Sequence, residues 1–348
     1  MFIRKGEPGP TIRAVDVGFG RVKALSEDRQ LEFPSVVSSF RPVRYSTGIN
    51  QADPVERLCC EYAGRKYFIG DIVFKQADAM VTMNAERFTR PEGLALMFSA
   101  LALLSGADSE TLNLATGLPV SDFAGKKDVY RQALLGRHYI KLVNPDGSGE
   151  RVFNLHVADC RILPQPMGTV FDRVLNDAGE LVNKRLAAGN VGVLDIGQNT
   201  VDLVRVDGLE FVDGQSDSFS DLGLFDAYGL LYREIKDIYN VEIPPARMEK
   251  YLQNNFIEVD GYRQNIAGIK QRVFAAHAER IVSRALNLWR DAWQLNSIIV
   301  TGGGAAILGD YISRQLNRPG QVELVDRDRA TLSNANGYLK LARRVWQR

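Results

Sequence analysis

The hydrophobic pattern changes period repeatedly along the chain, and each change predicts a new element. Short apolar or alternating runs predict strands at 11–17, 21–25, 32–37, a pair within 61–71, 111–118, a hairpin at 138–163, 191–197, 200–207, 209–213, 297–304 and 321–325. Apolar residues every three or four positions predict helices at 91–105, about 122–135, 166–188, about 221–239, a polar helical segment within 241–270, 271–292, about 305–317 and about 330–344. This alternation indicates a mixed α/β fold.

One short pattern occurs twice. AVDVGFGRVKAL at 14–25 and VLDIGQNTVDLV at 193–204 both contain an apolar strand, Asp-x-Gly, a few small or polar residues and a second strand. The two copies lie about half a chain apart, which predicts two halves built alike. Either turn taken alone is equally an ordinary hairpin in which Asp and Gly are turn formers.

A third glycine-rich turn changes the balance. VTGGGAAILGD at 300–310 predicts a strand, three glycines and a helix start, an arrangement that lets a nucleotide lie close to the backbone. Glycines in the two Asp-x-Gly turns would likewise permit close approach by an anion. A carboxylate does not bind phosphate directly, so the paired acids predict Mg²⁺ and its waters between Asp and phosphate.

Composition limits the possible functions. The chain has 348 residues, 45% hydrophobic and 24% charged, which favours a globular protein of two domains. A net charge of +1 from interspersed residues predicts no direct nucleic-acid binding. Three cysteines and three histidines without metal-ligand spacing predict a reducing cytoplasm and no transition-metal site. The longest apolar run, 94–104, is too short to span a membrane and predicts a buried helix.

In order and spacing, the three turns resemble those of the actin-type ATPase superfamily. The first phosphate loop of that family matches 16–23, the second matches 195–202, and the adenosine loop matches 301–305. The compact length and the sequence DVGFGRVK are most similar to plasmid-segregation actins of the ParM/StbA type and their archaeal relatives. The resemblance implies an actin-like (ribonuclease H-like) duplicated α/β fold, with two domains around a cleft that holds ATP and Mg²⁺.

The resemblance also implies domains and residue roles. Domain I would span 1–165 and 330–348, and domain II would span 166–329. Asp16 and Asp195 would act in catalysis by holding Mg²⁺ through water. The residues implied to contact the nucleotide are Gly18, Phe19, Gly20, Lys23, Gly197, Gln198, Asn199, Thr200, Gly302, Gly303 and Gly304. For Thr200 and Asp202, structural roles in the hairpin are equally open.

Three further assignments come from the resemblance. Gln165 stands where the family places a Glu or Gln that orients the attacking water, and the alternative is a glutamine held between two prolines in a rigid loop. Gly223 matches a glycine that approaches the nucleotide, although the motif usually has two adjacent glycines. Arg247 and Lys250 lie where the family holds adenine and ribose, or else belong to a solvated helix face.

The function implied by the resemblance is an ATPase that polymerises into dynamic filaments, hydrolyses ATP and moves plasmid DNA through a separate DNA-binding adaptor. Two alternatives share the fold: a small-molecule kinase and a non-polymerising actin-like scaffold. No further glycine-rich acceptor motif with an Asp base stands in the first half, which argues against the kinase. The chain also has no additional C-terminal substrate domain of the kind that large chaperones carry.

Overall fold

The computed structural model describes residues 9–43, 55–75, 80–81, 86–146, 149–243, 248, 251–252 and 254–347. The chain divides into two compact units. Unit 1 comprises Met1–Asn183 and Leu332–Arg348, and unit 2 comprises Lys184–Thr331.

The secondary structure follows the alternation expected from the hydrophobic pattern. The strands are β1 (Thr11–Val17), β2 (Arg21–Leu25), β3 (Gln30–Pro34), β4 (Val36–Ser39), β5 (Cys59–Tyr62), β6 (Arg65–Ile69), β7 (Met80–Val81), β8 (Ser109–Leu118), β9 (Gly136–Val143), β10 (Glu150–Pro164), β11 (Asn190–Ile196), β12 (Val201–Asp207), β13 (Glu210–Phe211), β14 (Asp217–Phe219), β15 (Phe256–Val259), β16 (Tyr262–Asn265), β17 (Ser297–Thr301) and β18 (Val322–Leu324). The helices are α1 (Asp71–Lys75), α2 (Pro91–Leu104), α3 (Val120–Leu134), α4 (Met167–Val174), α5 (Lys184–Ala187), α6 (Leu224–Tyr239), α7 (Ala267–Leu288), α8 (Ala305–Leu316), α9 (Arg327–Ala330) and α10 (Ser333–Trp346).

Unit 1 is built on a ten-stranded sheet with the order β3-β2-β1-β8-β10-β9-β5-β6-β4-β7. Its centre is parallel, because β1 and β10 both pair in parallel with β8. Helices α2 and α10 both pack on β1. A strand covered in this way is a nearly continuous apolar run, and every β1 residue after Thr11 is buried. Asp16 interrupts that run, so its carboxylate is held inside the protein rather than in solvent.

Unit 2 repeats the local arrangement in a smaller sheet. Its order is β13-β12-β11-β17-β18, and β14 also pairs with β12. As in unit 1, the first strand of an antiparallel hairpin, β11, also pairs in parallel with a later strand, β17. Asp195 interrupts the buried residues of β11 at the position that Asp16 takes in β1. The internal repeat predicted from the sequence is therefore present in the strand pairing.

The division between the units falls at Asn183, later than the boundary expected after residue 165. The reason is the contact between α4 and α10. A β-carbon at Gly168 would lie 2.7 Å from the Cα of Asn334, so the two helix backbones approach closely. The Thr169 hydroxyl and backbone N–H both donate to Asn334 Oδ1, at 2.9 and 3.1 Å. Helix α4 therefore packs in unit 1 rather than in unit 2.

The helix expected at 166–188 is two short helices. Helix α4 ends at Val174, and the Asn176 side chain then accepts hydrogen bonds from the backbone N–H groups of Ala178 and Glu180, at 3.0 and 2.8 Å. An Asn side chain that bonds local backbone in this way competes with the helix. The prediction of one continuous helix was therefore wrong.

The polar segment 241–270 was expected to be helical, but part of it is the hairpin β15–β16. Asp260 and Gly261 at its turn both have positive φ, 50° and 80°. Asp-Gly is a strong hairpin signal for that reason, and the helical assignment overlooked it. The strand expected at 32–37 is likewise two strands, β3 and β4. They separate at Ser35, whose backbone N–H donates to the carbonyl oxygen of Gly20 at 2.9 Å.

Candidate functional site

The first Asp-x-Gly turn joins β1 to β2 and holds Asp16 beside a lysine. Asp16 and Lys23 are directly opposite in the antiparallel ladder. Lys23 Nζ lies 3.2 Å from Asp16 Oδ2, and the carboxylate is 2% exposed. The Gly18 N–H closes the turn by donating to the Arg21 carbonyl at 3.1 Å, and a β-carbon at Gly18 would lie 3.0 Å from that oxygen. A side chain at Gly18 would therefore crowd the closing carbonyl of the turn.

Gln165 lies against the same carboxylate. Its Nε2 donates to Asp16 Oδ1 at 2.9 Å, although 149 residues separate the two in sequence. The backbone at Gln165 is fixed from two sides, since its N–H donates to the Leu118 carbonyl at 2.8 Å and its carbonyl accepts the Tyr338 hydroxyl at 3.1 Å. The structure therefore brings the proposed catalytic residues of unit 1 together.

A buried arginine supports this turn from behind, and the sequence analysis missed it. Arg87 is 2% exposed and donates to the carbonyls of Val17 and Gly18, at 2.9 and 3.2 Å. Its guanidinium carbon stacks 3.8 Å from the ring centroid of Phe19, which was expected to contact the nucleotide. Burial lowers the pKa of Arg87 to about 10, so the group remains charged at neutral pH. A single arginine in a polar segment gives no sequence signal of such a role.

The second Asp-x-Gly turn joins β11 to β12 and has the same backbone geometry. The Gly197 N–H donates to the Thr200 carbonyl at 2.8 Å, and a β-carbon at Gly197 would lie 3.0 Å from that oxygen. Its electrostatics differ, because the residue opposite Asp195 in the ladder is Asp202. Asp202 also accepts a hydrogen bond from the hydroxyl of Ser218 on β14. This is the structural anchoring role that the sequence left open for Asp202.

Gly223 brings helix α6 against the second turn. A β-carbon at Gly223 would lie 2.6 Å from the Asn199 carbonyl oxygen, so only glycine allows this approach. The first N–H groups of α6 donate to the turn, from Leu224 to the Gly197 carbonyl at 3.1 Å and from Phe225 to the Gln198 carbonyl at 2.8 Å. The turn carbonyls thus satisfy helix donors that otherwise have no partner within the helix.

The glycine turn after β17 packs against Asp195 through Gly302. Gly302 has φ +85°, and a β-carbon there would clash with Asp195 Oδ1 and lie 2.6 Å from the Ile196 carbonyl oxygen. The Gly304 N–H donates to that same carbonyl at 2.8 Å. Gly303 differs, because a β-carbon there would meet only the Thr331 methyl group, at 3.8 Å. Gly302 and Gly304 are thus required by packing, whereas Gly303 is exposed and a β-carbon there would make only an ordinary van der Waals contact.

Arg247 and Lys250, expected near adenine and ribose, lie outside the described residues. The remaining predicted residues form two sets, one in each unit. The set in unit 1 is Asp16, Gly18, Phe19, Gly20, Lys23 and Gln165, and the set in unit 2 is Asp195, Gly197, Gln198, Asn199, Thr200, Gly223, Gly302, Gly303 and Gly304.

Each set, taken by itself, has groups that suit a phosphate with Mg²⁺. Mg²⁺ keeps several waters and needs only one or two carboxylates, and each turn has a buried Asp near the end of its first strand. Gly303 is exposed, and its lack of a side chain leaves the backbone there accessible to a ligand. Within the described part of the chain, no cluster of three or more His, Cys, Asp or Glu residues could hold a metal by itself. In the same residues, no helix is both long and apolar enough to cross a membrane.

Two family models match the chain. The model described as the actin like proteins N terminal domain matches residues 14–168. The model of the archaeal actin homologue, MreB-like, C-terminal, matches residues 193–314. Each match contains one of the two Asp-x-Gly turns, in the expected order. The chain belongs to the actin-like family.

Similar proteins extend over nearly the whole chain. An archaeal actin homologue of Thermoplasma acidophilum is 24% identical over 342 residues, covering 95% of this chain and 98% of the relative. A ParM from a 15-stranded filament of Clostridium botulinum has a TM-score of 0.77 at 23% identity, covering 96% of this chain and 99% of its own. An archaeal actin homologue in complex with ADP has a TM-score of 0.73 at 21% identity, covering 96% and 99%. The predicted actin-like two-domain fold is confirmed.

Proposed function

We propose that this actin-like protein binds ATP with Mg²⁺, hydrolyses it, and assembles into filaments whose lifetime hydrolysis controls. The observation that carries the proposal is the repeated turn. Two Asp-x-Gly hairpins have the same closing hydrogen bond and the same tight approach at the glycine, and Gly302 of the third glycine turn packs on the second acid. The ADP bound to one similar structure and the filament formed by another support nucleotide binding and self-association.

Each residue has a defined part in this proposal. Asp16 and Asp195 would hold the waters of Mg²⁺, which neutralises charge on the phosphates when bound. Lys23 would hold the Asp16 carboxylate in place through their ion pair and lie close to the phosphates. The glycines of both turns would let the phosphate chain approach the backbone, and Gly303 would leave room for the nucleoside.

Gln165 would orient the attacking water without removing its proton. An amide has no basic group of the required strength, so its contribution is position. Its Nε2 is bonded to Asp16, which leaves Oε1 as the atom that accepts a hydrogen bond from water. Loss of one such positioning group slows a reaction by a factor on the order of 10²–10³.

We further propose a cytoplasmic role in moving plasmid DNA through an adaptor. A net charge of +1 gives no large basic surface for direct DNA binding, which supports a separate DNA-binding partner. The three cysteines are free and buried, as expected of a reducing compartment.

Light scattering recorded beside phosphate release tests the proposal. Wild-type protein is followed with ATP, GTP and a non-hydrolysable ATP analogue, with and without Mg²⁺. We expect ATP and Mg²⁺ to give scattering that rises and then decays with phosphate release, and the analogue to give scattering that persists. Gln165→Ala should form filaments that decay much more slowly.

The other outcomes identify the alternatives. Phosphate release without scattering, over a range of salt and Mg²⁺ concentrations, would indicate a non-polymerising ATPase. Phosphate transfer that requires an added acceptor hydroxyl would indicate a kinase. If the protein binds no nucleotide and releases no phosphate, the proposal is refuted.

A further inference from the structure

The strongest unassigned feature is the buried guanidinium under the first turn. Arg87 makes two hydrogen bonds to the turn backbone, and its planar group also lies 4.5 Å from the ring centroid of Phe88, the residue that follows it. In the described part of the chain it forms no ion pair with a carboxylate, and its Nε has no hydrogen-bond partner. The carboxylates of Asp16 and Asp122 favour its charge without forming an ion pair with it. A buried charge that has no directly paired counter-ion is costly. An apolar side chain would fill the same space without that cost.

The two carbonyls that Arg87 binds determine where the turn donors point. In a trans peptide the C=O and the N–H of one unit point in opposite directions. Because the Gly18 carbonyl points to Arg87, the Phe19 N–H points away from it. The Val17 carbonyl is bound in the same way, and the Gly18 N–H of that unit closes the turn to Arg21. Arg87 thus sets the orientation of the Gly18–Phe19 peptide, whose N–H is a donor for an anion.

Charge reinforces this geometry. The charge of Lys23 is largely balanced by Asp16, to which it is bonded. The guanidinium of Arg87 therefore adds positive potential on the side of the turn opposite the donor. In a site of low dielectric, such a charge favours an anion on the far side.

We propose that Arg87 is a positioning residue for the phosphate chain of the bound nucleotide. It fixes the Gly18–Phe19 peptide with its N–H toward the phosphate and supplies positive charge behind it. This inference rests on the proposed nucleotide binding, and it adds that the first turn is selective for phosphate because of a residue outside the repeated motif.

The test compares ligands that differ only in phosphate. Calorimetric titration of the full chain is carried out with ATP and with AMP, for wild type, Arg87→Met, Arg87→Lys and a control, Phe88→Leu. The control loosens the same buried segment but keeps the guanidinium. We expect Arg87→Met to lose about 10- to 100-fold in ATP affinity, the range for losing hydrogen bonds of a charged donor. AMP affinity should change less than about threefold.

Arg87→Lys distinguishes geometry from charge. An ammonium keeps the charge but lacks the planar fork that reaches two carbonyls. We expect an intermediate loss for ATP and little change for AMP. If Arg87→Met does not fold, this variant alone decides the question.

Two outcomes would overturn the inference, and they are separable. If wild type binds ATP but the Arg87 variants lose affinity equally for ATP and AMP, or Phe88→Leu reproduces their pattern, then Arg87 is only structural. If wild type binds neither ligand, then the proposed function fails and the inference fails with it.

Discussion

The two Asp-x-Gly hairpins have the same backbone and opposite electrostatics. Each is closed by a glycine N–H bonded to the carbonyl three residues on, and each has an Asp two residues before that glycine. Opposite the acid, however, unit 1 has Lys23 and unit 2 has Asp202. Opposite charges facing across a ladder stabilise it, and like charges destabilise it. Unit 2 thus carries two acids where unit 1 carries an ion pair.

The support behind each turn differs as well. In unit 1 the carbonyls of the turn accept hydrogen bonds from a charged side chain, Arg87. In unit 2 they accept hydrogen bonds from the backbone at the start of α6, made possible by Gly223. A repeated turn therefore keeps its shape with two unrelated supports. The first turn gains a full positive charge from its support, whereas the second gains only the partial positive charge at the start of α6.

The largest effect is expected at the glycines next to Asp195. Gly302→Ala should prevent unit 2 from folding normally or lower its stability by several kcal/mol, since the residue has positive φ and no space for a β-carbon. Gly303→Ala is the matched control. In thermal unfolding followed by circular dichroism, we expect the control to be about as stable as wild type and Gly302→Ala to be much less stable. Equal melting of the two variants would contradict the packing at Gly302.

A substitution at Gly303 tests nucleotide binding without disturbing the fold. Gly303→Val should fold like wild type, because the nearest atom to its β-carbon is 3.8 Å away. We expect it to weaken binding of a fluorescent ATP analogue by about tenfold or more through steric exclusion, about 1.4 kcal/mol. Unchanged affinity in a folded variant would place the nucleoside elsewhere.

The acids should respond differently to neutralisation. Asp16→Asn leaves the half-buried Lys23 without its counter-charge and should cost about 2 kcal/mol. Asp195→Asn removes one of two facing acids and should cost less than about 1 kcal/mol. Urea unfolding of both variants measures this difference. A larger cost for Asp195→Asn would show that like-charge repulsion does not govern the second turn.

Gln165→Glu would place a second carboxylate beside Asp16, as Asp202 lies opposite Asp195 in the second turn. The new carboxylate would replace an amide that donates to Asp16 at 2.9 Å. Two close carboxylates raise the pKa of one of them. A carboxyl group whose pKa is raised on folding favours the folded state least at high pH. Relative to wild type, the free energy of unfolding of the variant should therefore be lowered by about 1 kcal/mol more at pH 7.5 than at pH 5. Gln165→Ala serves as the control and should show no such pH dependence in urea unfolding.

The smallest expected effect concerns pH and the second turn. Burial lowers the pKa of His277, whose Nε2 lies 2.9 Å from the Leu222 carbonyl, next to Gly223. The unfolded state therefore binds this proton more readily, and stability should fall as pH decreases below about 6.5. The slope for one proton is at most about 1.4 kcal/mol per pH unit. When the melting temperatures of wild type and His277→Gln are measured between pH 5 and 8, the variant should depend less on pH. Parallel dependence of the two proteins on pH would show that His277 does not cause the loss of stability at low pH.

Much of the fold could be predicted from local patterns. The hairpin β1–β2 and the helix α2 beginning at Pro91 were predicted nearly to the residue. The strand expected at 297–304 begins at Ser297 as predicted but ends at Thr301, before its glycines. The errors fell where a local signal competed with hydrophobic periodicity. Asn176 ended a helix by accepting hydrogen bonds from the backbone of Ala178 and Glu180, and Asp260-Gly261 formed a turn within a segment assigned as helical.

The sequence by itself determined the repeated turns, because Asp, Gly and strand periodicity are local properties. It could not determine what faces each turn. Gln165 meets Asp16, and Arg87 meets the turn carbonyls, only because the sheet of unit 1 brings distant segments together. Likewise, Gly223 is needed because α6 packs on Asn199. These contacts depend on tertiary packing, for which a single sequence contains no periodic signal, and they decide the charge and rigidity of each turn.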